Sequence, residues 1–240
     1  MADPFADVAA LTGVGAAAAH ARHAIDALLR HQAVRRDAIR MAAASAVRGA
    51  KASAVLAGGN PNAIGDPITQ GALRVTGEAA HLAATWRQAP GQVLARLHLL
   101  AARDLMAPTE LGRPRPDVDQ NRLEQLLRFG SGPSAAPGMV VAALVHGELI
   151  ALKVFGTGGD VVARAAERIV LIARGVDPLA VSVPEVGHLA ISRAYRPLLQ
   201  AYAAGQPDGV AAWVRHCCNA YARGAATGLE HASGAPDSSE

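Results

Sequence analysis

The chain is short of the residues that usually identify a function at a glance. Two cysteines occur in 240 residues, Cys217 and Cys218, and because they are adjacent no disulfide framework is available; a reducing cytoplasm is the expected compartment. Aromatic residues make up 3%, too few for a base-stacking platform, and a net charge of +3 is too small and scattered to track phosphates, so nucleic acid is not an expected partner. Lysine is scarce, with Lys51 and Lys153 standing among many arginines. The most apolar segment, 137–153, is interrupted by His146 and Glu148 and falls short of the roughly 20 residues of a membrane span, so no membrane partner is expected either. Near the start, Asp3 and Asp7 stand where a secretory signal carries positive charge. Period-two alternation is also missing, which argues against a sheet.

What is present is helical periodicity with clear punctuation. Hydrophobic residues make up 51% of the chain, enough to bury a substantial core, and one all-α domain is expected over 16–229, with an N-terminal extension at 1–15 and a disordered tail at 230–240. A helical region from Ala16 to Leu56 is expected to break near Gln32 and Gly49 and to end in AGGNPN. Asp66-Pro67 reads as an N-cap and first helical residue, opening a helix to about Trp86, and Pro90 opens another. Asp117 or Asp119 caps the helix RLEQLLRF. The segment MVVAALVHGELIALKVF is apolar nearly all round, the mark of a helix surrounded by others. VVARAAERIVLIARG is a second strong helix that stops at Gly175; a turn VDPLAVSVPE and helices near 195–204 and 210–224 follow.

Between the two strongest helices lies LKVFGTGGDVVAR, Leu152 to Arg164. Read by itself it is a tight helix-helix turn with glycines at positive φ and Asp160 as N-cap of the second helix. It lacks the preceding strand and third glycine of a dinucleotide fingerprint, and the GK[ST] of a P-loop.

Set in the whole chain, the stretch resembles the Fic (Fido) proteins, which mostly transfer AMP from ATP to a protein hydroxyl. Their signature HPFxxGNGRxxR aligns with this stretch without a gap, matching at Phe155, Gly158 and Arg164. His146 upstream, LIARGVDP downstream, LARLHLLAARDL with Leu111-Gly112-Arg113, and AYRPLLQAYAAGQPDGVAAWV resemble the flanking elements of that family in order and spacing, over about 16–224. The resemblance implies a helical bundle whose two central helices flank the motif loop.

The departures from the pattern bear on activity. The family's general base is the motif histidine, and that position is Lys153, an ammonium with no lone pair to accept a proton at neutral pH. The acidic residue that holds Mg²⁺ becomes Thr157, and Gly-Asn-Gly becomes Gly158-Gly159-Asp160, which puts a carboxylate where phosphate would sit. The first motif arginine becomes Val161; Arg164 remains, either as a phosphate ligand or as a helix arginine facing polar neighbours. SAVLAG resembles the family's inhibitory helix, with Ser53 and Gly58 in place but Ala57 at the glutamate position. The substrate-gripping flap is expected to be reduced or absent, since only a Pro-rich connector follows Arg113.

Other candidates carry less. His20, His23 and His31 lack a Cys or carboxylate cluster and read as surface residues, so no metal site is expected. Trp86 and Trp213 read as packing residues, Cys217 as a small core residue, and the Arg-rich segment 21–40 as a solvated face. The expected function is a Fic-like protein with a degenerate site, without cofactor, that binds or regulates an unidentified protein partner; self-association is left open. The alternative is an active nucleotidyl- or phosphotransferase using ATP and Mg²⁺, with Lys153 and Arg164 on phosphates.

Overall fold

The computed structural model describes residues 3–233. Among them the chain forms α-helices and a single 3-10 turn, with no strand. The first group is α1 (Pro4–Ala9), α2 (Val14–Arg30), α3 (Gln32–Arg36) and α4 (Ala38–Leu56). Next come α5 (Pro67–Trp86) and α6 (Pro90–Ala102), the 3-10 turn at Pro108–Glu110, and α7 (Gln120–Ser131). The centre is α8 (Gly138–Ala151) and α9 (Gly159–Ala173), followed by α10 (Pro184–Ala190), α11 (Ser192–Ala203) and α12 (Pro207–Ala232).

The helix starts follow from local chemistry. Asp66 accepts hydrogen bonds from both Thr69 N (2.7 Å) and Thr69 Oγ1 (2.6 Å), and Pro67 supplies the fixed φ of the first turn. Asp37 and Asp119 cap α4 and α7 in the same way, while Asp117 pairs with Arg115. Proline also opens α6, α10 and α12, where its missing N–H costs nothing.

Helix α8 is the axis of the core. It is buried without a break from Met139 to Gly147 and again at Leu149, which explains why its sequence shows no polar face. Helix α9 packs beside it and is itself buried from Val161 to Leu171; α5 and α6 cover one side of this pair, while α12, which also carries α2, α10 and α11, covers the side of α8. The connector between Arg113 and α7 contains no strand, so no flap hairpin is formed there. Its Arg115 N–H donates to Val154 O at 2.9 Å, which ties it directly to the loop between α8 and α9.

Several expectations are corrected. The segment expected as an extension carries α1, whose buried Phe5 packs against Phe129 at 5.8 Å between centroids, and Asp3 accepts from Ala135 N at 2.8 Å, so the chain from residue 3 belongs to the helical body. The helical region breaks at His31, but Gly49 lies inside α4. That glycine serves close approach, because a Cβ there would stand 2.8 Å from both Arg168 Nη2 and Glu185 Oε2. The turn expected at 176–185 ends inside a further helix, α10, and α12 runs eight residues past 224, to Ala232, so the first residues of the expected tail are helical. The rest of that tail, 234–240, lies outside the described residues.

Candidate functional site

Helix α8 ends in a Schellman motif. Lys153 N–H bonds to Ile150 O and Val154 N–H to Leu149 O, and the residue between the helix and the loop must then adopt the left-handed conformation. That residue is Lys153, with φ +49°, at a position where glycine is the usual occupant and a side chain costs on the order of 1 kcal/mol. Its side chain is exposed.

His98 of α6 holds the loop from below. Its ring stacks on Phe155 with centroids 4.3 Å apart, and its two nitrogens bridge the loop to the Gly112 turn. Gly112 N–H can only donate, so Nδ1 of His98 is the acceptor and Nε2–H donates to Thr157 O at 3.0 Å. This fixes a neutral imidazole, in keeping with burial, which lowers the His98 pKa below its ordinary value. Gly158 follows at φ +82° and is the N-cap of α9; Asp160 sits in the first turn and its carboxylate makes no capping hydrogen bond. The expected Asp160 cap is therefore corrected: the left-handed glycine turns the chain, and the aspartate favours the helix N-terminus by charge alone.

Above the loop is a cleft of about 280 Å³ lined by Arg115, Lys153, Phe155, Gly156, Gly159 and Asp160 among others. Its size lies at the lower edge of the roughly 300–1,000 Å³ typical of small-molecule sites. Thr157 is exposed, Gly158 and Gly159 are half-buried, and Val161 is in the core. Of the positions aligned with the motif, Lys153, Phe155, Gly159 and Asp160 meet at this cleft.

Arg164 does not join them. It is 1% exposed and faces inward, where Nε donates to Ser53 Oγ (2.9 Å), Nη2 to Ser53 O (2.9 Å) and Nη1 to the Tyr195 hydroxyl (3.3 Å). Ser53 lies in the last turn of α4, so the guanidinium places a cation at that helix's C-terminus. Helix α4 also ends in a Schellman motif, with Gly58 at φ +85° in the left-handed position and Ala57 as C-cap. The SAVLAG turn thus contacts the motif arginine through Ser53, while Ala57 at the glutamate position brings no carboxylate.

Behind the loop is a buried polar layer. The Tyr195 hydroxyl lies 2.7 Å from His146 Nε2, His146 Nδ1 lies 2.9 Å from Glu167 Oε1, and Glu167 also meets His188 Nε2 (3.0 Å) and Tyr221 OH (2.7 Å). His188 Nδ1 in turn faces His216 Nε2 at 3.4 Å. Burial alone would raise the Glu167 carboxyl, but His146 and His188 draw it well below the carboxylate range. Burial pushes the Cys217 thiol up and the Tyr195 phenol up, and no buried side-chain polar atom among the described residues lacks a partner. One helical turn beyond Arg164, Arg168 forms a bidentate pair with Glu185 (2.9 and 2.6 Å) and donates to Ser45 Oγ and Ser182 O.

Glu167, His188, His216, Tyr221 and Glu185 were not among the sequence candidates. One signal was available: Arg164, Glu167 and Arg168 fall at i, i+3 and i+4, a charged stripe on a helix that is apolar elsewhere after Asp160. His20 and His23 are exposed on α2, and His31 accepts from Ala33 N at the start of α3, so these three assemble no site. Trp86 and Trp213 are buried with their N–H groups on Gly130 O and Ala143 O, and Cys217 is fully buried.

No protein-family model and no curated protein matches the sequence. Solved structures do resemble the fold. A Fic family protein from Desulfovibrio desulfuricans superposes with a TM-score of 0.64 at 17% identity, over 90% of this chain and 74% of that one. Fic-1 (residues 134–508) from C. elegans superposes with a TM-score of 0.59 at 14% identity, over 91% of this chain and 73% of that one. The chain therefore has a Fic-like helical fold. No helix among the described residues is long and apolar enough to cross a membrane.

Proposed function

We propose that this is a Fic-fold protein with a degenerate nucleotide-transfer site, which acts in the cytoplasm by binding or regulating a protein partner and needs no nucleotide. The observation that carries this reading is the position of Arg164. A guanidinium that is 1% exposed and engaged by Ser53 and Tyr195 would have to leave the end of α4 before it could meet a phosphate. Abandoning those buried partners would cost three hydrogen bonds and leave Ser53 Oγ without its donor, although the Ser53 carbonyl keeps Ala57 N–H and the Tyr195 hydroxyl keeps His146. Lys153 at the base position and Thr157 at the metal position supply neither a proton acceptor nor a carboxylate.

A second reading keeps some support. Lys153 and Arg115 both line the cleft, and two cations beside a glycine-rich turn would suit a phosphate in a nucleotidyl- or phosphotransferase of altered chemistry. The experiment that separates the readings is incubation of the full chain with α-labelled ATP and Mg²⁺, alone and with lysate proteins. The first reading expects no labelled product and no concentration-dependent rise in melting temperature with ATP, ADP or CDP-choline. Labelling that disappears in Lys153→Ala would replace it with the second.

A further inference from the structure

Four potential metal ligands from four helices converge in the polar layer behind the loop. His146 (α8), Glu167 (α9), His188 (α10) and Cys217 (α12) are all fully buried, and one ligand atom from each lies within 4.8 Å of every other. A tetrahedral zinc shell, with bonds of about 2.0–2.3 Å, separates its ligand atoms by roughly 3.3–3.8 Å. That spacing falls inside the range found here, from 2.9 Å between His146 Nδ1 and Glu167 Oε1 up to the 4.8 Å limit. We propose that His146 Nδ1, a Glu167 carboxylate oxygen, His188 Nε2 and Cys217 Sγ form a closed structural site for a zinc-type divalent ion.

Three features support this. The donor set of two imidazoles, a carboxylate and a thiol suits zinc better than hard cations, which prefer oxygen. The charges also balance. The carboxylate and a thiolate neutralise a dication, the imidazoles bind through lone pairs, and the thiol proton is the one proton released to solvent on binding. Without the ion, Glu167 has no Lys or Arg side chain in direct contact, and its hydrogen-bond partners are the two imidazoles, Tyr221 and Cys217.

The third feature is what stands behind the ligands. The ring nitrogen of a metal-bound histidine that faces away from the ion usually has a hydrogen-bond partner that fixes its tautomer. Here His146 Nε2 faces Tyr195 OH at 2.7 Å, His188 Nδ1 faces His216 Nε2 at 3.4 Å, and Tyr221 OH supports the carboxylate at 2.7 Å. Such an ion would clamp α8, α9, α10 and α12 together without touching the cleft, so the inference does not rest on the proposed function.

The site is buried, so loading is coupled to folding. The test is metal analysis of the full chain as purified from zinc-supplemented cells, and again after refolding from denaturant with Co²⁺ followed by gel filtration. The expected result is about one ion per chain in each preparation. The cobalt form should show a thiolate-to-cobalt charge-transfer band that Cys217→Ser loses and Cys218→Ser keeps. A folded chain, helical by circular dichroism, that holds no stoichiometric metal in either preparation would overturn the proposal and leave Glu167 as a hydrogen-bond hub. If Cys217→Ser does not fold, the wild-type stoichiometry decides alone. A metal-loaded chain without the thiolate band would equally overturn the assigned ligands.

Discussion

The loop that enters α9 and the buried body of that helix, the outer and inner sides of one segment, use their polar groups in opposite ways. On the outer side Lys153 lines the cleft, Thr157 is exposed, and Asp160 lies in the first helical turn without a capping bond. Toward the interior, Arg164, Glu167 and Arg168 are buried, and each is engaged by partners at 3.3 Å or less. The lesson is one of magnitude. In water an exposed charge gains little from a neighbour, about 0–1 kcal/mol, whereas a buried charge that loses its partner forfeits several kcal/mol. Stability in this fold should therefore depend heavily on the buried charges of α9 and hardly at all on the exposed ones at its entry.

The sharpest way to break that contrast is Arg168→Ala. It leaves Glu185 as a buried carboxylate without its cation, and a loss of about 3–5 kcal/mol is expected in urea unfolding. A loss under 1 kcal/mol would mean that the inner side is no more demanding than the outer. Gly49→Ala attacks the same pair sterically, since its Cβ would press on Arg168 and Glu185; a cost of about 1–3 kcal/mol is expected in the same measurement.

The outer side should respond to pH through His98, the buried histidine that anchors the loop. The folded pKa of His98 lies below the unfolded value of 6.5, so the unfolded state takes up the proton first on acidification. The contribution of His98 is fully present above about pH 6.5 and is lost as pH falls from there through the folded value. His98→Phe, which keeps a ring over Phe155 but removes both hydrogen bonds, should flatten the dependence of stability on pH below 6.5 relative to wild type. Identical slopes would show that His98 does not titrate with folding. The smallest effect expected is a gain: Lys153→Gly relieves a left-handed side chain and should stabilise the chain by about 0.5–1 kcal/mol. Destabilisation instead would mean that the lysine side chain contributes more to the loop than its backbone costs.

Much of the frame was legible before the structure. Asp66-Pro67, Asp119, Pro90 and Gly175 mark helix ends because caps and left-handed turns depend on the few residues around them. The apolar run of α8 announced a helix enclosed on every side for the same kind of reason. The aligned positions Phe155 and Gly159 do meet at the cleft with Lys153 and Asp160. Asp160 was misread as a cap because a left-handed Gly158 turns the chain and starts the helix two residues earlier than an Asp160 cap requires.

The sequence by itself determined the helical class, most of the helix boundaries and the order of the elements around the loop, since all of these follow from interactions within a turn or two of the chain. Only the tertiary structure decided which way Arg164 points and that a polar layer exists at all. Its partners are remote: Ser53 lies 111 positions from Arg164, and Tyr221 lies 54 from Glu167. A buried charge is tolerable only where such partners converge, and convergence depends on how α4, α8, α9, α10, α11 and α12 pack together. Helical periodicity shows that Arg164, Glu167 and Arg168 share a face, but not what that face meets.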